Sequence, residues 1–496
     1  MLLTLLTVLA AGPDTLRLRV RSRNDYHGSL EARTWDWSRE RPVGGVVGLR
    51  AAFARLAAEC DCPVVRLDGG DQMQGTLLSN LVYGRSTVEA LNLAGLDAAA
   101  IGNHDLDWGV DTLRARQRDA RYAWLAANVF DSTTGRRPDW ARPYAILPIQ
   151  GLRVAVIGYM THETKSIVLA EHVAGRRFEG GVEPLRDVLA DVARARPDFT
   201  IIAAHAGAFC RRDGTCAGEI VDLAAALPPG SVDLIASGHT HSIVNTVVNG
   251  IPIVQSWSSA RAVGVTDLAR VPGGPVTARA RIDTLWADTP DSAAAALVAE
   301  YRPRVDAVAN RVVATLRDSL FLRGDQYPLG NLIAAAQRHA TGADVGLMNN
   351  GGIRTALPAG PVTIGRLFEV QPFQNQVLRI PVPGSALLAA FEHALAGGRP
   401  DAHVDGVTVR YDASKPDGQR VVEARLDDGR LIVPDGRYVL GTSNFIAGGG
   451  SGFRMLVPFA PERVAGFDLD LLEAWLAAQP QPVVAPAAPR FVPVTP

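Results

Sequence analysis

The chain has 496 residues, too many for one ordinary hydrophobic core, so the length predicts two domains. Hydrophobic residues make up 47% and charged residues 20%, a globular composition. The formal net charge of −1 gives no support to a nucleic-acid surface, which shows itself as a basic excess.

The chain opens with "MLLTLLTVLAAGP" (1–13). Its apolar run, 2–11, is too short to span a bilayer as a helix. It resembles the apolar region of a secretory signal, although no Lys or Arg precedes it, and it predicts a periplasmic or secreted protein. No other segment is long and apolar enough to be a membrane span. "TLRLRVRSRNDYHG" (15–28) alternates like a strand and ends in Asn24, Asp25, His27 and Gly28. "GGVVGLRAAFARLAAE" (44–59) has apolar spacing near 3.6 and predicts a helix. Cys60 and Cys62 follow as a C-x-C pair, an awkward spacing for a bridge, whereas Cys210 and Cys216 enclose a loop that a disulfide could close. An even cysteine count fits an oxidising compartment. The four lack a regular zinc-module spacing.

"CPVVRLDGGDQMQG" (62–75) ends in Asp68, two glycines and Asp71. "LDAAA" (96–100) runs into Ile101 and then Asn103, His104, Asp105 and Asp107. A helix is predicted over 182–195. "DFTIIAAHAG" (198–207) ends in His205, and "VDLIASGHTHS" (232–242) in His239 and His241. Strands alternating with helices predict a layered α/β domain. An Ala-rich helix at 286–312 is read as the linker. Beyond it, 329–340 and 384–396 read as helices, and 405–414, 421–433 and 436–450 as strands. The Pro-rich end, 479–496, reads as an extended or disordered tail.

Taken singly, each polar strand ending has a plain reading. Asp-Gly-Gly-Asp is a good turn, and a lone His is most often a hydrogen-bonded structural residue. Together, five successive endings carry carboxylates, imidazoles and one amide oxygen. In an open α/β sheet such endings share one edge, where ligands collect. Seven candidate ligands are too many for one four-coordinate ion and suit two. Donors without thiolate suit Zn, Mn, Fe or Ni. Two ions about 3.5–4 Å apart orient a phosphoryl group and activate a water for in-line attack.

The set N-D-x-H-G, G-G-D-x-x-x-G, G-N-H-D-x-D, A-H-A-G and G-H-T-H resembles the calcineurin-like metallophosphoesterase superfamily. From about residue 16 to about 475 the chain is similar to the exported 5'-nucleotidase family. The resemblance implies an α/β protein: a four-layer metallophosphoesterase β-sandwich flanked by helices over 14–285, the linker helix over 286–312, and a substrate-binding α/β domain over 313–478. It implies two divalent ions (Mn, Zn, Co or similar), one held by Asp25, His27 and His241, the other by Asn103, His205 and His239, with Asp71 between them. His104 would face the scissile phosphate, oriented by Asp107, while Asp105 would be structural. "NNGGIR" (349–354) resembles the family's N-G-G-x-R, so Arg354 would contact the phosphate and Asn350, rather than Asn349, the sugar. Phe373 and Phe445 match two rings around a nucleobase. Two positions depart from the family pattern. Ser451 stands where an Asp binding ribose hydroxyls is usual, and Arg323 is the one near candidate for the arginines upstream of "LGNL". The implied activity is removal of phosphate from nucleoside 5'-monophosphates. The alternatives on the same ions are a 2',3'-cyclic nucleotide phosphodiesterase, a nucleotide-sugar or diphosphate hydrolase, or a sulfur-ester hydrolase. The non-enzyme alternative is an extracellular nucleotide-binding protein, which would lack ligands that this chain keeps.

Overall fold

The computed structural model describes residues 15–211, 213–271 and 274–494, so the apolar segment 1–13 lies outside the described residues. The chain divides into two compact units. The first holds 1–74, 82–164 and 175–300, and the second holds 75–81, 165–174 and 301–496.

The first unit is a sandwich of two six-stranded sheets. One is built from β1 (Leu16–Arg23), β2 (Val64–Asp68), β3 (Ala98–Ala100), β4 (Ala123–Leu125), β11 (Ala262–Arg270) and β12 (Val276–Thr284), in the order β12-β11-β1-β2-β3-β4. The other uses β5 (Tyr144–Ile149), β6 (Leu152–Met160), β7 (Phe199–His205), β8 (Leu234–Ala236), β9 (Ile243–Val248) and β10 (Ile251–Ser256), in the order β9-β10-β8-β7-β6-β5. β1 to β4 are mutually parallel, as are β6, β7, β8 and β10. These inner strands are apolar runs such as "TIIAA", as parallel strands covered on both faces must be.

Val20, Leu67 and Ala100 from one sheet meet Val156, Ile201 and Leu234 from the other in the central core. On the outer face of the second sheet lie α2 (Arg186–Ala195) and α3 (Glu219–Ala226), which bury Val188, Val192, Ile220 and Leu223 against Ile157 and Ile202. On the other side, α1 (Gly45–Ala58) buries Val46, Leu49, Ala52, Phe53 and Leu56. Of the alternating arginines of β1, Arg17 is exposed, while Arg19 and Arg21 reach this helix and are buried. Arg19 donates to Leu56 O and Asp267, and Arg21 to Phe53 O. Burial lowers the Arg21 guanidinium to about 10. From Arg19 onward the polar face of β1 is therefore an interior face.

A helix at Ser292–Ala309, α4, occupies the middle of the predicted linker 286–312. The second unit contains a five-stranded sheet, ordered β15-β13-β18-β14-β19, from β13 (Val345–Asn349), β14 (Gln376–Pro383), β15 (Ala402–Asp405), β18 (Arg437–Ser443) and β19 (Arg463–Phe467). A smaller sheet, β17-β16-β20, joins β16 (Val407–Tyr411), β17 (Val421–Leu426) and β20 (Phe491–Pro493). Helices α5 (Pro328–Thr341), α6 (Gly384–Ala394) and α7 (Asp468–Ala478) complete this unit.

Three expectations need correction. The tail is not loose: β20 pairs in parallel with β16, and Phe491 and Val483 are buried in two core clusters. Two apolar side chains among the prolines anchor it, and a buried Phe is worth about 1.5–3 kcal/mol. The strand predicted over 436–450 ends at Ser443, whose hydroxyl accepts from Ile446 N–H and caps a helical turn at Asn444–Ala447. Cys60 and Cys62 are bridged as well as Cys210 and Cys216. The turn after α1 brings the Cα atoms of the first pair to 5.3 Å, inside disulfide range.

Candidate active site

The five polar strand endings of the first unit converge at the carboxyl edge of its sheets. Asp25 and His27 follow β1, Asp71 follows β2, Asn103 to Asp107 follow β3, His205 ends β7, and His239 and His241 follow β8. Asp25, His27, Asp71, His239 and His241 all adopt positive φ, between 50° and 81°. Such backbone costs on the order of 1–3 kcal/mol per residue and persists only where the surroundings over-determine it. Here interlocking bonds do so: Asp25 N to Gly70 O at 2.9 Å, His27 N to Asp71 O at 3.1 Å, and His239 N to Asp25 Oδ2 at 3.0 Å.

The ligand atoms fall in two groups that share Asp25: Asp25, His27 and His241, and Asp25, Asp71 and His205. His27 Nε2 and His241 Nε2 approach to 2.9 Å, and His241 Nε2 lies 3.3 Å from Asp25 Oδ1. His205 Nε2 lies 3.1 Å from Asp71 Oδ2 and 3.0 Å from Asn103 Oδ1. Asp71 Oδ2 also lies 3.8 Å from His27 Nε2, so this carboxylate faces both groups. His27 and His205 donate through Nδ1 to Gln74 O and Gly69 O, each at 2.8 Å. That bond fixes the tautomer and presents Nε2 as a donor pair to a cation. Burial alone would push Asp25 and Asp71 up, but the surrounding imidazoles outweigh it and hold both carboxylates below their ordinary range. Buried imidazole nitrogens and carboxylate oxygens without thiolate fit divalent ions. His239 sits beside His205, ring centroids 5.0 Å apart, with its Nε2 3.8 Å from Glu163 Oε2.

His104 hangs from this centre by its own backbone. Its N–H donates to Asp71 Oδ1 at 2.8 Å, and its Nδ1 meets Asp107 Oδ2 at 2.7 Å. The ring lies 5.5 Å from that of His27. Asp105 turns the other way and accepts from Gly102 N, Gln72 N, Asp71 N and Met73 N. Burial pushes it up to about 7. Glu163 was not singled out from sequence, and Asn24, named only as part of the β1 ending, was given no role; its amide donates to Asp25 Oδ2 at 2.6 Å. A carboxylate or amide in a loop carries no signal until its neighbour is known.

In the second unit, the Arg354 guanidinium lies 5.7 Å from the Phe373 ring centroid. Ser451, at φ 51°, accepts from Asn349 Nδ2 at 2.9 Å, and Phe445 packs against the neighbouring Gly450. Asn350 instead donates to Asp401 at 2.9 Å and accepts from His403 Nε2 at 2.8 Å. Of the two asparagines, Asn349 is thus the one that meets Ser451. Arg323 stacks over Phe321 at 4.4 Å.

The chain is similar to known proteins in sequence and in fold. The model of the 5'-nucleotidase C-terminal domain matches residues 312–458, and that of the bacterial capsule synthesis protein PGA_cap matches residues 51–256. Protein UshA of Escherichia coli is 28% identical over 95% of this chain and 92% of its own length. The crystal structure of a 5'-nucleotidase precursor from Thermus thermophilus superposes with a TM-score of 0.86 at 26% identity, over 97% of this chain and 100% of that one. Over residues 312–458 the chain carries the 5'-nucleotidase C-terminal domain. It is a hydrolase similar to 5'-nucleotidases. Its relatives differ in length: endonuclease YhcR of Bacillus subtilis is 28% identical over 88% of this chain, which spans only 37% of that protein.

Proposed function

We propose that this 5'-nucleotidase-like hydrolase removes phosphate from nucleoside 5'-monophosphates. The observation that carries the reading is the pair of candidate ligand groups sharing Asp25, buried except for the half-buried His241, with His104 suspended from Asp71 beside them. Two divalent ions, held by Asp25, His27 and His241 and by Asn103, His205 and His239 with Asp71 between, would supply Lewis acidity and a nucleophilic water. The chain's own groups do the rest. Asp107 accepts from His104 Nδ1–H and so orients the ring. In the imidazolium form, which the Asp107 carboxylate favours, Nε2–H is then turned to donate to a phosphoryl or leaving-group oxygen as charge develops there. In the second unit Arg354 offers a guanidinium to the phosphate. Phe373 and Phe445 offer rings to a base, and stacking tolerates any base because each has a π-face. Asn350 and Ser451 would face the sugar, Ser451 being held by Asn349. The two disulfides support an exported location, where thiols are oxidised.

A second reading, hydrolysis of phosphodiesters or diphosphates, is favoured by the endonuclease name of one relative and by the uncharged Ser451. Phosphate release from AMP, UMP, UDP-glucose, 2',3'-cyclic AMP and bis(p-nitrophenyl) phosphate separates the two. The protein is first stripped with EDTA, then restored with Mn, Zn, Co or Ca. Metal-dependent turnover of AMP and UMP is expected. Turnover confined to the diesters and UDP-glucose would replace the first reading by the second.

A further inference from the structure

Beneath the metal-ligand loops lies a buried ion pair that takes no part in ligation. Arg23 and Asp68 are register partners at the ends of the parallel strands β1 and β2. Arg23 Nη2 lies 2.6 Å from Asp68 Oδ2, with side chains 1% and 0% exposed. The guanidinium also lies over the Tyr26 ring, 4.3 Å from its centroid. Removing two charges from water is costly, and packed apolar residues of similar volume often do as well or better for stability. This pair is not optimised for its own sake. All three guanidinium nitrogens of Arg23, Asp68 Oδ2 and the Tyr26 hydroxyl are buried without a well-aligned hydrogen bond among the described residues, so Arg23 and Asp68 meet as a charge pair.

The placement of the pair gives a different reason for it. Asp25 comes two residues after Arg23, and Asp71 three after Asp68. The second oxygen of Asp68 accepts from Gly70 N–H at 2.7 Å. Gly69 N–H in turn donates to Arg23 O at 2.8 Å, and Gly70 O accepts from Asp25 N–H at 2.9 Å. Gly69 O receives the Nδ1–H of His205 at 2.8 Å, the bond that turns His205 Nε2 toward Asp71 and Asn103. The Gly69, Gly70 turn is thus the joint between the two loops and His205. It has no slack on the His205 side: Gly70 has φ +94°, and a Cβ there would lie 2.6 Å from His205 Nδ1. Two glycines are also the softest backbone available, so their conformation has to be imposed from outside.

We propose that the Arg23–Asp68 ion pair is a positioning device: it pins the Gly69, Gly70 turn, and through it holds His205 and Asp71 in the arrangement that receives an ion. The inference rests on the dimetal reading above. Asp68 is a positioning residue and not a ligand: Oδ1 accepts from Gly70 N–H, and Oδ2 faces the Arg23 guanidinium at 2.6 Å.

The test is Mn binding to EDTA-stripped full-length protein, by isothermal titration, alongside urea unfolding. Three proteins are compared: wild type, Asp68→Asn, and the double variant Arg23→Met with Asp68→Leu. The double variant leaves no buried charge unpaired, so it keeps the fold even where the single variant does not. Wild type is expected to take two ions. Both variants are expected to bind one of the two 10- to 100-fold more weakly, the range for groups that orient ligands. In the double variant this loss is expected without a fall in the unfolding midpoint. Both ions bound within threefold of wild type by the double variant would overturn the proposal, and the pair would then be structural only. A wild type that binds no ion would instead sink the dimetal reading itself.

Discussion

Gly102→Ala tests the site at its tightest point. Gly102 lies between β3 and Asn103, and its backbone is not in the left-handed region, so an alanine there adds no φ strain. It adds one methyl group. That Cβ would lie 2.1 Å from Asp71 Oδ1 and 2.2 Å from Asp71 N, where relaxed carbon contacts lie at about 3.5–4.0 Å. Asp71 therefore has to retreat by more than about 1 Å. The retreat strains the bond from His104 N to Asp71 Oδ1 and that from Asp71 N to Asp105 Oδ2. Overpacking costs about 1–3 kcal/mol and a lost bond to a charged group about 1.5–3 kcal/mol, so the metal-free variant should lose about 3–6 kcal/mol. Activity should fall by about 100-fold or more, the usual result of a 1 Å misplacement. Urea unfolding of the stripped protein and AMP hydrolysis with Mn restored measure the two effects. Gly151→Ala is the control: φ there is +92° with nothing within 4 Å of a Cβ, so it should cost only about 1–2 kcal/mol. A Gly102→Ala protein within about 1 kcal/mol of wild type and equally active would refute the close approach of this loop to Asp71.

Three further outcomes follow from the geometry. His104→Ala should lower turnover by about 10²–10⁴-fold with both ions retained, and Asp107→Asn by about 10–100-fold; loss of ions in either variant, by metal analysis, would contradict their roles. Chelation should lower the thermal midpoint reversibly, because ligand at 1,000 times its Kd stabilises by about 4 kcal/mol; an unchanged midpoint would argue against a metal-dependent fold of these loops. His403 is buried, which lowers it to about 4 from the model-peptide 6.5. Because the folded value is depressed, its contribution is full above pH 6.5 and is lost as pH falls through 4, about 3 kcal/mol in all. His403→Gln should flatten that acid limb in urea titrations at pH 7, 5.5 and 4.5, and a variant that tracks wild type would show that His403 is not the titrating group.

The convergence of the polar strand endings in the first unit was legible in the sequence because parallel strands put their carboxyl ends on one edge. Candidate ligands scattered from Asp25 to His241 could be placed together without knowing a single distance. Helix periodicity likewise gave α1, α2, α5 and α6 close to their observed limits. Other features were decided by tertiary contacts that leave no local pattern. The alternation of β1 looks half-exposed until α1 is laid over its arginines. Proline content hid the two side chains that anchor the tail. Asn349 and Asn350 are adjacent and chemically identical, and only the fold sends one to Ser451 and the other to Asp401 and His403. Asp68, Asp71 and Asp105 are three carboxylates in or beside similar glycine turns. Burial and partners alone make one a pin for a turn, one a candidate ligand that lies beside both His205 and His27, and one an acceptor for four backbone N–H groups. Residue type and spacing fix which chemistry is available along the chain, while a charged group's role is set by its nearest neighbours in space, and those come from distant sequence.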